Sequence, residues 1–273
     1  MDSIWHFFRK TRMFIVRIRI LYIVLFFLIL IGCKSENKNS EILVENIEEL
    51  NIPTELTSYY KDVDFNLQGE DLKESLAITT IAKHSRFLEY YERHRYLYKA
   101  DEDPSNSKNV LLIYSGESRD KSEFYSSSNK HRPQTFNTEH VYPRSFIENT
   151  AEADLHHLRT AAIKINEQRK NYPFTAGSGK HKLISNNSWY PGDEWVGDIS
   201  RMIFYLNLRY NEDFESVGNL TLFLKWNAQD PVSAIEIQRN EIIFKAQGNR
   251  NPFIDNPYLA SLIWGNPAAK NRW

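Results

Sequence analysis

The sequence predicts an α+β domain that is mostly helical around a small antiparallel sheet. A sizeable core is available, since 41% of the 273 residues are hydrophobic and the chain holds 16 Phe, 6 Trp and 15 Tyr. The apolar run at 110–114 and the segment 136–142, which is followed by Pro143, favour strands. The clearest helix spans 197–210, with an apolar stripe at helical spacing formed by Ile199, Met202, Ile203, Leu206 and Tyr210. Several helices around a few short strands are typical of the α+β class.

Local signals set the bounds of the other elements. The first helix opens at Asp71, followed three residues later by Glu74 as in a capping box, and runs toward Arg93. Pro143 ends the strand that starts at Phe136. Further helices are expected over 160–170 and 230–246, whereas 220–226 is ambiguous between helix and strand. The far end of the first helix carries an aromatic surface that we expect to pack in the core, formed by Tyr90, Tyr91, Tyr96 and Tyr98.

The first 33 residues have the layout of an export signal. Five basic residues precede the apolar run 20–31, which suits the hydrophobic region of a signal peptide and is short for a spanning helix of about 20 residues. The run ends in Leu-Ile-Gly-Cys33, which resembles the site where bacterial lipoproteins are cleaved and acylated. We predict a lipoprotein signal peptide over 1–32 and a membrane anchor on lipidated Cys33. The alternative is an incidental thiol in a cleaved leader.

Residues 33–69 are polar and acidic without clear periodicity, so we expect a tether that leads to a domain over 70–273. Cys33 is the only cysteine, so no intramolecular disulfide can form and the fold must depend on its core. The leader holds five of the 34 basic residues and one of the 35 acidic ones, which leaves the rest of the chain net acidic. A nucleic-acid partner would therefore bind at a local basic patch.

Residues 136–145 (FNTEHVYPRS) place the Glu139 carboxylate beside the His140 imidazole. A neutral His can accept a proton from water near neutral pH. A divalent ion can stabilise the charge that develops when a phosphodiester is hydrolysed. Because Mg²⁺ needs few protein ligands and prefers oxygen, the Glu139 carboxylate and the Asn166 amide would suffice. An isolated Glu-His pair is also common on a solvated strand edge.

The spacing imposes a geometric requirement. Neighbours on a flat strand face opposite ways, so Glu139 and His140 could not meet at one phosphate without a special arrangement. Either the backbone departs from a flat strand near residues 138–141, or the ion and the nucleophilic water flank the strand's edge. The same objection applies to His156 and His157 as a shared metal site. Their alternative role is that of core histidines that donate to backbone carbonyls.

Cations follow the Glu-His pair in the sequence. Arg159 and Arg169 are candidates to hold a phosphate through two parallel hydrogen bonds. The region between residues 164 and 182 is the best candidate for a patch that binds nucleic-acid phosphates, with a merely solvated face as the alternative. The predicted patch consists of Lys164, Lys170, Lys180 and Lys182.

Several spaced segments resemble the bacterial endonuclease I family of secreted or periplasmic nonspecific nucleases. They are 137–145 (NTEHVYPRS), 154–161 (DLHHLRTA) followed by 166–171 (NEQRKN), 197–205 (GDISRMIFY) and 247–253 (QGNRNPF). The resemblance spans roughly residues 72–265, in the family's order. The chain departs from the family in having Thr160 where we expect Pro, and in lacking the disulfides of several members.

The resemblance implies a ββα-metal (His-Me finger) site, built as a strand–loop–strand–helix unit with His140 on the strand and Asn166 on the helix. It implies that His140 is the general base and that Glu139 and Asn166 bind Mg²⁺, with Mn²⁺ or Ca²⁺ as substitutes. It also implies cleavage of DNA, and often of RNA, with 5′-phosphate ends and little sequence preference.

We therefore expect an exported, membrane-anchored endonuclease in the periplasm or on the cell surface, acting as a monomer on DNA, with RNA as a further substrate that the sequence leaves open. The first alternative is a surface lipoprotein that binds nucleic acid but has lost catalysis. The second is a metal-dependent phosphoesterase that acts on small esters. Neither the physiological substrate nor the membrane face follows from the sequence.

Overall fold

The computed structural model describes residues 48–148 and 150–273. Its helices are α1 Thr54–Tyr60, α2 Gly69–Lys83, α3 Arg93–Ala100, α4 Ile163–Arg169, α5 Val196–Tyr210, α6 Leu220–Gln229, α7 Ala234–Gln247, α8 Pro252–Asp255 and α9 Tyr258–Trp264. Its strands are β1 Glu102–Asp103, β2 Asn106–Leu111, β3 Ser118–Asp120, β4 Phe136–His140, β5 Leu158–Ala162, β6 Lys180–Ile184 and β7 Ser188–Gly192. The expected α+β class is confirmed, with three small antiparallel sheets in the described residues.

The sheet formed by β4 and β5 positions the motif around Glu139 and His140. In its antiparallel register Glu139 lies opposite Arg159, and His140 lies opposite Leu158. β5 leads directly into α4, so the chain forms the strand–loop–strand–helix unit that the resemblance implied. The other sheets are β1-β2-β3 and the hairpin β6-β7.

Helix α5 lies in the middle of the core and packs against α2 and α6. The predicted helix over 197–210 is thus confirmed, although the helix is buried on nearly all sides and not only along its stripe. A helix in this position must pair its polar groups inside the protein. Arg201 does so by donating to Glu236 of α7, with an Nε–Oε1 distance of 2.6 Å.

A buried cluster of charges joins β5 to α5, to α7 and to the end of α3. The Arg159 Nε lies 3.0 Å from Asp101 Oδ1, and its Nη1 lies 3.1 Å from Asp198 Oδ1. Arg239 also pairs with Asp101 and donates to the Leu158 carbonyl at 2.9 Å. Because these links come from three helices, they fix the position of β5.

Three predicted helix bounds were wrong. The first helix begins at Gly69 and ends at Lys83, and a separate helix begins at Arg93. The stretch 160–170 is divided, because its first three residues pair with β4 and only then does α4 begin. The helix expected from 230 starts at Ala234, where Ser233 and Glu236 form a capping box. The ambiguous segment 220–226 is helical.

The domain also begins earlier in the chain than we expected. Helix α1 buries Leu56, Tyr59 and Tyr60 in the main core, and the Tyr60 hydroxyl donates to Asp255 at 2.6 Å. The predicted tether over 33–69 therefore includes part of the folded domain. The predicted signal peptide and Cys33 lie outside the described residues. None of the helices in the described parts of the chain is long and apolar enough to span a membrane.

Asp154, in the segment DLHHLRTA, is a buried hydrogen-bond acceptor. Its Oδ1 accepts from the His156 backbone and from Gln247, both at 2.9 Å. Its Oδ2 accepts from the Tyr205 hydroxyl at 2.6 Å and from the Tyr210 hydroxyl at 2.8 Å. One carboxylate thus links the segment before β5 to both α5 and α7.

Asp154→Asn should destabilise the protein by about 3 kcal/mol. Each carboxylate oxygen now accepts two hydrogen bonds, and the asparagine NH2 group would replace one of these acceptors with a donor. Urea unfolding of the two proteins measures the difference. Asp62→Asn, at an exposed position, is the control and should change the free energy by less than about 0.5 kcal/mol. Equal midpoints for the wild type and Asp154→Asn would contradict this role.

The same carboxylate makes stability depend on pH. Burial raises the pKa of Asp154, but His156, His84 and the hydrogen bonds from Gln247 and Tyr205 outweigh burial and lower the pKa to about 2. A lowered carboxyl pKa contributes stability above the unfolded value of about 4, and this contribution is lost as the pH falls toward 2. Asp154→Asn should therefore flatten the acid limb of a stability–pH profile.

Candidate active site

Glu139 and His140 lie on opposite faces of β4. The register with β5 is regular through His140, so Asn137 and Glu139 face one way while Thr138 and His140 face the other. The backbone bends only from Val141 onward. The prediction that the backbone departs from a flat strand near residues 138–141 is therefore wrong for residues 138–140.

Helix α4 packs on the face of β4 that carries Glu139. The Asn166 Nδ2 donates to Asn137 Oδ1 at 2.8 Å and to the Thr138 carbonyl at 3.3 Å. Arg169 places its Nε 3.1 Å from Glu139 Oε1. Helical residues three apart lie on one side of a helix. A single side of α4 therefore brings Asn166 and Arg169 to the Glu139 face.

The Thr138 carbonyl marks the outer edge of β4. Phe136, two residues earlier, directs its carbonyl away from β5 and accepts from the Tyr125 backbone at 2.8 Å. Backbone groups of an antiparallel strand alternate in direction, so the Thr138 carbonyl also points away from β5. Asn166 therefore reaches the strand's edge, where a phosphate can be approached from both faces. This geometry is compatible with the second arrangement considered for the sequence, in which the ion and the nucleophilic water flank the strand's edge.

Glu139 is buried, with 3% of its surface exposed. Its Oε1 accepts from the Tyr114 hydroxyl at 2.7 Å and pairs with Arg169. Burial raises the pKa of Glu139 to about 6, although Arg169 and Tyr114 favour the charged form. The carboxylate is thus held in a fixed orientation, and at neutral pH it is mostly ionised, as binding of a cation requires.

The His140 ring is held as a neutral imidazole. Its Nε2 lies 3.2 Å from the Glu152 carbonyl, and because a carbonyl only accepts, Nε2 carries the hydrogen. The lone pair is then on Nδ1. This atom has no hydrogen-bond partner among the described residues and is not buried, so it is open to solvent. Burial and the nearby His157 and Arg144 lower the pKa of His140 to about 3, so the ring is uncharged at neutral pH.

Glu139 and Asn166 offer oxygen donors that suit a hard divalent cation. Asn166 makes both of its side-chain hydrogen bonds in the described residues through Nδ2, which leaves its carbonyl oxygen available. Across 48–148 and 150–273, no three His, Cys, Asp or Glu side chains are grouped closely enough to hold a metal ion. One carboxylate and one amide fit an ion that keeps most of its waters, as Mg²⁺ does.

The structure corrects the assignments of Arg159 and Arg169 as phosphate ligands. Both side chains are fully buried. Arg159 is taken up by Asp101 and Asp198, and Arg169 donates to the Val141 carbonyl at 2.8 Å in addition to pairing with Glu139. Neither guanidinium is positioned to meet a phosphate from solvent. Arg169 instead positions Glu139.

The predicted lysine patch lies at the surface. Lys164 lies on α4, and Lys170 directly follows that helix. Lys180 and Lys182 lie on β6 with one residue between them, so this pair shares a face of the hairpin. All four side chains are exposed: Lys164, Lys170, Lys180 and Lys182.

Sequence reasoning missed three residues beside His140. The Tyr90 ring stacks on the His140 ring, with centroids 5.4 Å apart. The guanidinium carbons of Arg93 and Arg144 lie 3.6 and 5.6 Å from the centre of the Tyr90 ring. The available signal was the concentration of Tyr and Arg over residues 90–98, whose tyrosines we interpreted as a core surface. Tyr90 lies at the site, and Tyr91 is 77% exposed.

His156 and His157 are core residues. Both are buried, with Nε2 of His156 lying 3.2 Å from the Asn249 carbonyl and Nε2 of His157 lying 2.8 Å from the Ala151 carbonyl. This arrangement matches the alternative in which both donate to backbone carbonyls.

The strand–strand–helix unit, with Glu139 and His140 on a strand and Asn166 on the helix, has the arrangement of a ββα-type nuclease site. The family model of endonuclease I matches residues 68–258. The chain belongs to the endonuclease I family, and so to a class of nucleases that act on nucleic acids.

Three curated relatives illustrate the family. The chain is 37% identical over 233 residues to the extracellular ribonuclease of Bacillus amyloliquefaciens, covering 76% of this chain and 78% of that protein. It is 36% identical over 233 residues to the extracellular ribonuclease of Bacillus subtilis (strain 168), with the same coverage. The periplasmic deoxyribonuclease of Aeromonas hydrophila is 31% identical over 117 residues, which cover 39% of this chain and 49% of that protein.

Arg169→Leu should lower the free energy of unfolding by about 3 kcal/mol, because it leaves the buried Glu139 without its cation. It should also lower nuclease activity at least about tenfold, since Glu139 loses its fixed orientation. Urea unfolding and plasmid cleavage measure the two effects. Gln168→Leu, exposed on the same helix, serves as the matched control. An Arg169→Leu protein as stable and active as the wild type would refute the positioning role.

Proposed function

We propose that the protein is a divalent-metal-dependent endonuclease that hydrolyses phosphodiester bonds of DNA and RNA without sequence specificity. The observation that carries this proposal is the arrangement of three residues on and beside β4. His140 approaches from one face, Glu139 from the other, and Asn166 lies at the edge itself. Membership of the endonuclease I family supports the same reaction class.

In this mechanism His140 takes a proton from water through Nδ1. The Glu152 carbonyl holds the ring in the required tautomer, because it accepts the hydrogen on Nε2. The water oxygen attacks phosphorus as its proton passes to His140, and the bond to the 3′ oxygen breaks. The 3′ oxygen takes up a proton from solvent, which leaves 5′-phosphate and 3′-hydroxyl ends.

Glu139 and Asn166 would hold the divalent ion, for which we propose Mg²⁺, with Mn²⁺ or Ca²⁺ as substitutes. When bound, the ion would stabilise negative charge on the phosphate and on the leaving oxygen. Tyr114 and Arg169 fix the Glu139 carboxylate before any ion arrives. Preorganisation of this kind lowers the cost of assembling the site.

The names of the relatives bear on the substrate. The two Bacillus proteins that match over most of this chain are described as extracellular ribonucleases. The Aeromonas relative, which matches over a shorter segment, is described as a deoxyribonuclease. We therefore propose that this protein acts on both RNA and DNA. We also propose that it acts as a monomer. The four exposed lysines would provide sequence-independent contacts to backbone phosphates.

His140→Ala should lower the rate of plasmid nicking in Mg²⁺ by about 100- to 10,000-fold, because the general base is lost. EDTA should abolish nicking by the wild type. Gel analysis of supercoiled plasmid and of a structured RNA measures both effects. His131→Ala removes an exposed histidine elsewhere in the chain and should leave the rate unchanged.

Two outcomes would overturn this mechanism. Equal nicking by the wild type and His140→Ala would exclude His140 as the base. Salt-sensitive DNA binding by a wild-type protein that cuts neither substrate would favour the alternative of a nucleic-acid-binding lipoprotein that has lost catalysis.

We further propose that the protein is exported and anchored to a membrane through acylated Cys33, on the periplasmic or cell-surface side. The apolar run that ends in Leu-Ile-Gly-Cys33 supports this proposal, as do the extracellular and periplasmic relatives.

Mass spectrometry of the native protein should find an amino-terminal Cys33 that carries acyl chains. Cys33→Ser should release the protein into the soluble fraction, because the acylation site is lost. An unmodified amino terminus elsewhere in the chain would refute the anchor without affecting the nuclease proposal.

A further inference from the structure

Arg93 opens helix α3 and lies on the His140 face of β4. Its Nε donates to the Thr138 hydroxyl at 3.1 Å, and its Nη1 donates to the Tyr90 carbonyl at 2.6 Å. Thr138 and His140 are two residues apart on a regular strand, so they share a face. The Arg93 guanidinium is therefore fixed on the same face as the His140 imidazole.

The third nitrogen of this guanidinium is unused. Nη2 makes no hydrogen bond within the described residues, and it is not buried, so solvent reaches it. Arg93 also has no carboxylate partner in the described chain. The other cations around the site are paired: Arg144 with Glu152 at 2.8 Å, and Arg169 with Glu139.

Tyr90 supports Arg93 and His140 together. Its ring lies 3.6 Å from the Arg93 guanidinium carbon and stacks on the His140 imidazole. Stacking restrains the plane of the guanidinium and leaves its edge free to donate. A partly desolvated cation on the same strand face as a neutral imidazole is suited to bind an anion on which that imidazole acts.

We propose that Arg93 binds the phosphate that is being cleaved, and that Thr138 and Tyr90 position it. This inference rests on the proposed nuclease function and names a further catalytic residue for it. The guanidinium would donate to a non-bridging phosphate oxygen, where negative charge grows in the transition state. A contact that strengthens in the transition state affects kcat more than KM.

Steady-state cleavage of a fluorescent DNA oligonucleotide in Mg²⁺ tests this assignment. Arg93→Ala should lower kcat about 100-fold with KM within about threefold, and Arg93→Lys should lie between this variant and the wild type, because lysine retains the charge but not the planar fork. Arg95→Ala removes an exposed arginine from the same helix and is the matched control, expected to keep the wild-type kcat.

Thr138 provides a second, independent variant pair. Thr138→Val removes the hydroxyl that holds Arg93 and should lower kcat about tenfold, whereas Thr138→Ser retains the hydroxyl and should restore kcat to near the wild-type value. This pair preserves the charge at Arg93, so it carries the test even where Arg93→Ala fails to fold.

Three results would overturn the assignment. The first is a kcat for Arg93→Ala within threefold of the wild type. The second is a raised KM for Arg93→Ala at unchanged kcat, which would place Arg93 on a distant phosphate. The third is an equal kcat for Thr138→Val and Thr138→Ser. His140→Ala separates this failure from that of the proposed function. If His140→Ala is inactive and Arg93→Ala is active, only the Arg93 assignment fails. If His140→Ala remains active, the proposed mechanism fails first.

Discussion

Helix α4 is held on strand β4 by the ion pair between Arg169 and Glu139, and the geometry of the site depends on that contact. Both side chains are buried, so loss of either partner would leave a charge in the interior. The same helix places Asn166 one turn earlier, where its amide reaches the strand's edge. Arg169 also binds the Val141 carbonyl, at the point where the chain leaves the strand. One guanidinium thus fixes the carboxylate, the helix and the end of β4.

The regular strand explains how adjacent residues can serve one reaction. Glu139 and His140 point to opposite faces, and this alternation first counted against a shared role. In the mechanism that we propose, a phosphate beside the edge of β4 would be reached from one face by His140 and from the other by Glu139, so the alternation would not prevent a shared role. An anchored Asn166 at that edge requires no distortion of the backbone. The first arrangement considered, a bent strand, is therefore unnecessary.

Local sequence patterns predicted the parts of this structure that depend on neighbours in the chain. The stripe along α5 and the Glu-His pair on β4 are of this kind, and the resemblance to a family added Asn166 on a helix. The fate of each arginine could not be predicted, because it depends on partners far away in sequence. Arg159 finds Asp198, 39 residues on, and Arg93 finds Thr138, 45 residues on. A cation near a motif in sequence is thus a poor guide to a cation near it in space.

Buried arginines also explain how a domain without a disulfide can hold one arrangement. Arg159, Arg169, Arg201 and Arg239 are among the largest fully buried side chains, and each pairs with a carboxylate. The Arg239–Asp101 pair joins residues 138 positions apart. Such pairs add little net stability over apolar packing, yet any alternative arrangement that separates them buries an unpaired charge, at a cost of several kcal/mol. Arrangements that separate these pairs are therefore penalised, which favours the observed packing of α4, α5 and α7 around the strand that carries the site.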